Sequence, residues 1–262
     1  MDENIIESIK KYIEESGLPL EIEASSKLKE YNWKIRNQAY FFDEEIMKPR
    51  TIDIHASKLV LLENKAVFDR LIIGLIIECK TSERPWIFYT EEYMHEKDHL
   101  IGIISWLKNI IDPSNEQTFK KHMLLLGNYS HYFWHKNERI SVIGDVLYKG
   151  KDMLYEASCQ VTKALNYYKE FLSDLVKKTN LIKPYGIFYP IIIFSGRMFE
   201  IKYESGEFNI EEIKYISYNF SGVTKEPESF LIEIVHQDYL DDYMKVLDKE
   251  HSATLERLEK IL

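Results

Sequence analysis

The residues best equipped for chemistry are two acids and a lysine: Asp53, Glu78 and Lys80. Asp53 sits in Arg50-Thr51-Ile52-Asp53-Ile54, whose alternation predicts a β-strand with Ile52 and Ile54 on one face and Asp53 on the other. Glu78 and Lys80 end the run Leu71 to Lys80, which is apolar on both faces up to Ile77 and so predicts a central strand covered on both sides. A side-chain period of two puts Glu78 and Lys80 on the same face. Two carboxylates and an ammonium on neighbouring strands could hold a divalent cation and steady an attacking water, as phosphodiester hydrolysis requires.

The elements around these groups follow from periodicity. Ile5, Ile6, Ile9, Tyr12 and Ile13 predict a first helix, which Ser16-Gly17-Leu18-Pro19 ends with a glycine cap and a proline. A second helix is expected over Leu20 to Tyr31, with Leu20, Ala24, Leu28 and Tyr31 inward and Glu21 on the stripe's edge. Glu21 is then either an acid facing the site or a solvated carboxylate at a helix start. Trp33 to Phe42 predicts a strand that turns through Asp43 to Pro49 into the Arg50 strand, an antiparallel hairpin carrying Asp53 back toward Glu21.

Glu-x-Lys alone has little weight, because Glu63-Asn64-Lys65, Glu200-Ile201-Lys202 and Glu212-Ile213-Lys214 also match. Only Glu78 follows a long apolar strand with a strand-borne Asp before it. On Asp53, Glu78-Cys79-Lys80 and the preceding helix with Glu21, residues 1 to 115 resemble the PD-(D/E)xK, or restriction-endonuclease-like, nuclease superfamily. Ile52 stands where the motif's name has proline. The resemblance implies a restriction-endonuclease-like α/β core with a mixed central sheet flanked by helices, in which helix, hairpin and third strand follow in order. It implies Mg²⁺ (or Mn²⁺) held by Asp53, Glu78 and the Cys79 carbonyl, with Glu21 acting through water or a second ion and Lys80 beside the nucleophile. The partner would be nucleic acid, expected to be DNA, and cutting both strands of a duplex favours a homodimer. A non-catalytic binding or assembly module on the same fold is the alternative; separately, Asp53 and Lys80 can be read as ordinary strand-end charges facing water. The family's helix after the Glu-x-Lys strand often carries a glutamine; Gln160 lies far downstream and is given no role.

After Lys80, Arg84 and Trp86 are candidates for a phosphate and a stacked base, with a core role the alternative for Trp86. His95-Glu96-Lys97-Asp98-His99 matches His-Glu-x-x-His, which gives a zinc-hydrolase reading through His95, Glu96 and His99. Its charged middle and its place ahead of a helix over Leu100 to Ile111 favour surface residues instead. His131 and His135 lie in an aromatic-rich stretch and read as core histidines or a metal pair.

Further on, a long helix is expected over Asp152 to Lys178, then four strands (Ile187 to Phe194, Arg197 to Tyr203, Ile213 to Phe220, Phe230 to His236) and a closing helix from Tyr239. Residues 116–262 are thus expected to form a helical and β-rich extension that packs with the core as one compact unit, since no linker separates the two. At 262 residues the chain can bury a sizeable core. A net charge of -9 argues against indiscriminate coating of nucleic acid. Cys79 and Cys159 make neither a disulfide framework nor a zinc spacing. No apolar run has membrane length and the first residues lack a leader pattern, so a cytoplasmic protein is expected.

Overall fold

A computed structural model describes residues 3–62, 69–91, 110–111, 140–141, 143–147, 152–179, 184–222 and 228–261. Helices α1 (Glu3–Glu15) and α2 (Leu18–Glu30) lead into strands β1 (Lys34–Asp43), β2 (Lys48–Leu61), β3 (Arg70–Thr81) and β4 (Trp86–Glu91). Among the described residues, three short strands follow, β5 (Ile110–Ile111), β6 (Ile140–Ser141) and β7 (Ile143–Val146), then the long helix α3 (Met153–Thr179). The remainder is β8 (Pro184–Ser195), β9 (Met198–Glu204), β10 (Glu207–Ile213), β11 (Tyr215–Gly222), β12 (Glu228–His236) and helix α4 (Leu240–Ile261).

The main sheet runs β1-β2-β3-β8-β12-β11-β6, with β5 also on β8. It is mixed: β1, β2 and β3 are antiparallel neighbours, whereas β3–β8 and β8–β12 are parallel. A second sheet runs β10-β9-β4-β7. Apolar side chains cover the main sheet on both sides. Leu20, Ala24 and Leu28 of α2 and Tyr243, Met244 and Leu247 of α4 pack with Leu75 and Ile77. Across the sheet, Ala157, Val161 and Leu165 of α3 pack with Ile76, Phe188 and Ile192. The result is an α/β fold of helices flanking a mixed sheet, with β3 and β8 as its centre because their side chains are apolar on both faces. Gly74 of β3 exists for packing: a Cβ there would fall 2.5 Å from the Phe188 ring.

Several local expectations are corrected. Gly17 caps the start of α2 in a right-handed conformation, φ -67° and ψ -8°, instead of closing α1 in a left-handed one. Ile110 and Ile111, expected to end a helix, form a strand against Gly186 and Ile187 of β8, whose free backbone groups they satisfy. β10 has no counterpart among the expected strands: it is an edge strand whose Phe208 and Ile210 are exposed, so no half-buried alternation marks it. The stripe that predicts α1 is real as a helix, yet Ile5, Ile9 and Tyr12 are exposed. Most important, Ile52 and Ile54 do not share a face, since Ile52 joins the α3 side of the core and Ile54 the α2 side.

The domain boundary drawn near residue 115 falls outside the described residues. Among the described residues, no helix is long and apolar enough to cross a membrane.

Candidate active site

The switch of faces between Ile52 and Ile54 is caused by an irregularity in the β1–β2 hairpin. The register pairs Asn37 with Ile54 and Ala39 with Ile52, leaving Gln38 and Asp53 out of it. Gln38 has φ 48°, in the left-handed region that an L-residue enters at a cost of about 1–2 kcal/mol. On the other side of β2 the ladder to β3 ends at the pair Ile54–Ile77, so one step on Asp53 stands opposite Glu78 where the strands have parted. Asp53 closes that gap with its side chain, Oδ2 accepting the Cys79 N–H at 2.8 Å.

Glu21 reaches this point from α2. Its Oε2 accepts from Gln38 Nε2 at 2.7 Å, and the same amide lies 3.4 Å from Asp53 Oδ1, so Gln38 bridges the two carboxylates. One turn along α2, Ser25 donates to Asn37 Oδ1 at 2.8 Å and fastens the helix to the same bend. Glu78 is 1% exposed. Its Oε1 pairs with the Lys80 ammonium, while its buried Oε2 has no hydrogen-bond partner. The expected common face of Glu78 and Lys80 is therefore present, and Asp53 and Glu21 stand beside it.

Burial first, and neighbouring charges second, perturb every group here. Burial, then Asp53, push the Glu78 carboxyl up to about 7, against the pull of Lys80. Burial also raises Asp53, opposed by the Cys79 N–H and by Lys80. Glu21 is raised by burial and by Asp53. For Lys80 burial acts to lower its pKa, but Glu78 and Asp53 outweigh it and the ammonium is held above its ordinary value. Three carboxylates against one ammonium in a poorly solvated space favour uptake of a positive charge, and oxygen ligands suit a hard divalent cation. As the side chains stand, no group of three or more His, Cys, Asp or Glu among the described residues is set to hold a metal ion. Glu78 is turned onto Lys80 and Glu21 onto Gln38.

Cys79, expected to lend a carbonyl, is seen lending its N–H to Asp53; its thiol is buried in the α2-side core, and burial pushes it well above the ordinary thiol value. Arg84 is exposed on the turn after β3. Trp86 is corrected: it is wholly buried and stacked on Phe194 at 4.0 Å, because Trp86 and Phe88 alternate inward along β4, so it offers no face to a base. His95, Glu96, His99, His131 and His135 lie outside the described residues.

Two residues that sequence reasoning missed are Gln38 and Gln160. For Gln38 the only signal is the polar run Arg36-Asn37-Gln38 interrupting a strand. Gln160 lies far along the chain, yet α3 is the helix packed on β3's side of the core, and its Nε2 donates to the Thr51 carbonyl at 2.8 Å, two residues before Asp53. Set against protein-family models, curated proteins and solved structures alike, the chain matches none, and what it does must follow from these side chains.

Proposed function

We propose that the protein is a Mg²⁺- or Mn²⁺-dependent nuclease of the PD-(D/E)xK kind that hydrolyses phosphodiester bonds in DNA. The observation that carries this reading is the meeting of Asp53, Glu78, Lys80 and Glu21 where β2 parts from β3, with a buried Glu78 oxygen left unpartnered. The order α2, β1, β2, β3, then α3 and β8 after the intervening β4 to β7, with β8 parallel to β3, supports a restriction-endonuclease-like core.

In this reading Asp53 and Glu78 would hold the cation once Glu78 turns from Lys80, the Cys79 N–H fixes Asp53, and Glu21 would act through a water. When bound there, such a cation would supply charge neutralisation at the scissile phosphate and a more acidic water. Lys80, protonated while Glu78 faces it, donates toward the attacking water and the phosphate oxygens and keeps both on the carboxylate side. Gln38 orients Glu21 and Asp53, and Gln160 braces the backbone ahead of Asp53.

The test is incubation with Mg²⁺ or Mn²⁺ of plasmid, linear duplex, single-stranded DNA and RNA, comparing wild type with Asp53→Ala and Lys80→Ala. Cleavage by wild type that both variants lose is the expected result. No cleavage of any form with either metal overturns the proposal. A second reading, a non-catalytic nuclease-fold module, is favoured by one observation: the Glu78–Lys80 pair closes the site on itself. Calorimetry separates the two, since the module takes up neither ion. Should wild type cut both strands of a duplex, two sites and hence a homodimer are expected, checked by light scattering.

A further inference from the structure

Beside the carboxylates, between α3 and the turn end of the β1–β2 hairpin, lies a cleft of about 450 Å³ that reaches the cluster through Lys80. We infer that this cleft is a subsite for one nucleotide of a single-stranded nucleic acid, a free end or a flap, and that such a strand is the substrate class; the inference rests on the reading of the cluster as a phosphodiesterase site.

Shape, charge and an aromatic surface converge on it. The volume lies in the range of small-ligand pockets, roughly 300–1,000 Å³. A double helix is convex and cannot enter such a concavity, whereas a splayed nucleotide can. In a chain of net charge -9, the lining sets Arg50, Lys80 and Lys163 against Asp43 and Glu156; Lys80 is already paired with Glu78, so Arg50 is the lining cation most available to a ligand. Lys163 is held by Asp43 at 3.1 Å and Glu45 at 2.6 Å, which stiffens the wall. Arg50 approaches Asp43 only at 3.5 Å and is half exposed, leaving its guanidinium able to meet a phosphate. Tyr155, in the first turn of α3, lines the same cleft and is 43% exposed. Its ring is propped edge-on by Phe220 at 5.8 Å, so it is presented as a stacking platform. Burial raises the neighbouring Cys159 thiol above its ordinary value, against the pull of Tyr155 and Lys163.

The test is fluorescence anisotropy of a short labelled oligothymidylate, with an oligouridylate arm reporting sugar preference and a blunt duplex of equal length as control, all in EDTA. Wild type should bind the single strand more tightly than the duplex. Tyr155→Ala and Arg50→Ala should each weaken it about tenfold, in the range of one stacked base or one charged contact. Tyr155→Phe, which keeps the ring, should bind as wild type, and circular dichroism should show all variants folded. Duplex preference, absence of single-strand binding, or equal binding by Tyr155→Ala, Arg50→Ala and wild type overturns the inference. Because no metal is present, the result stands apart from hydrolysis. Cleft-dependent binding without cleavage under any metal would sink the nuclease reading alone; metal-dependent cleavage with binding indifferent to Tyr155 and Arg50 would sink the subsite alone.

Discussion

Glu78→Gln should make the metal-free protein more stable at pH 8 and leave it nearly unchanged near pH 4.5. Glu78 is almost wholly buried, and burial with Asp53 raises its carboxyl from 4.5 to about 7. Below 4.5 the side chain is neutral in both the folded and unfolded chains. As pH rises through 4.5 the unfolded chain gives up this proton while the folded chain keeps it until about 7. Folding stability therefore declines across that window and is level beyond it, by about 3 kcal/mol at 1.36 kcal/mol per pKa unit. Glutamine has the same shape and no proton to lose, and Lys80, part exposed, can turn to water when its partner becomes neutral. For a chain of this length about 3 kcal/mol corresponds to a Tm higher by about 6–12 °C at pH 8. Calorimetric melts of both proteins in EDTA at pH 4.5, 6 and 8 check it. A difference in Tm that does not change with pH, or a variant less stable throughout, refutes the account of Glu78 as a buried acid carrying an unfavourable charge. Mn²⁺ should restore the lost stability of wild type at pH 8 and do little for Glu78→Gln.

Gln38→Gly removes both the left-handed backbone cost and the amide between Glu21 and Asp53. Its Tm should be at least that of wild type while Mn²⁺ affinity by calorimetry falls about tenfold, the low end for loss of an outer-shell partner. Lys80→Ala should lower kcat by on the order of a hundredfold or more while Mn²⁺ still binds, measured on whichever nucleic acid wild type cuts. Trp86→Ala should cost about 3–5 kcal/mol in urea denaturation, since the ring is wholly buried, without changing nucleic-acid affinity of the folded fraction.

The parts of the site legible in the sequence were those carried by regular strands. The apolar run before Glu78 marked β3 as central, and the period of two paired Glu78 with Lys80 correctly. The bend at Gln38 was not legible, because a left-handed residue is announced by Gly, Asn or Asp and not by Gln. Without it, Ile52 and Ile54 seem to share a face, whereas the actual switch of faces goes with Asp53 reaching the Cys79 amide. Trp86 misled because a tryptophan two residues after an arginine reads as a binding pair, while the alternation of Trp86 and Phe88 sends both rings into the core. Gln160 was hidden by distance along the chain: β4 joins a different sheet before α3 returns to the strand that bears Lys80.

That return has a consequence during synthesis. β3 pairs along its whole length with β8, Arg70 with Pro184 through Thr81 with Ser195, so a nascent chain must wait for β8 to leave the ribosome before one flank of β3 is covered. At roughly 5–20 residues per second the delay is on the order of ten seconds, during which an apolar strand has a bare edge. A fragment stopping short of β8 would carry Asp53, Glu78 and Lys80 in full and yet aggregate, and the natural chain is expected to lean on a chaperone until β8 arrives.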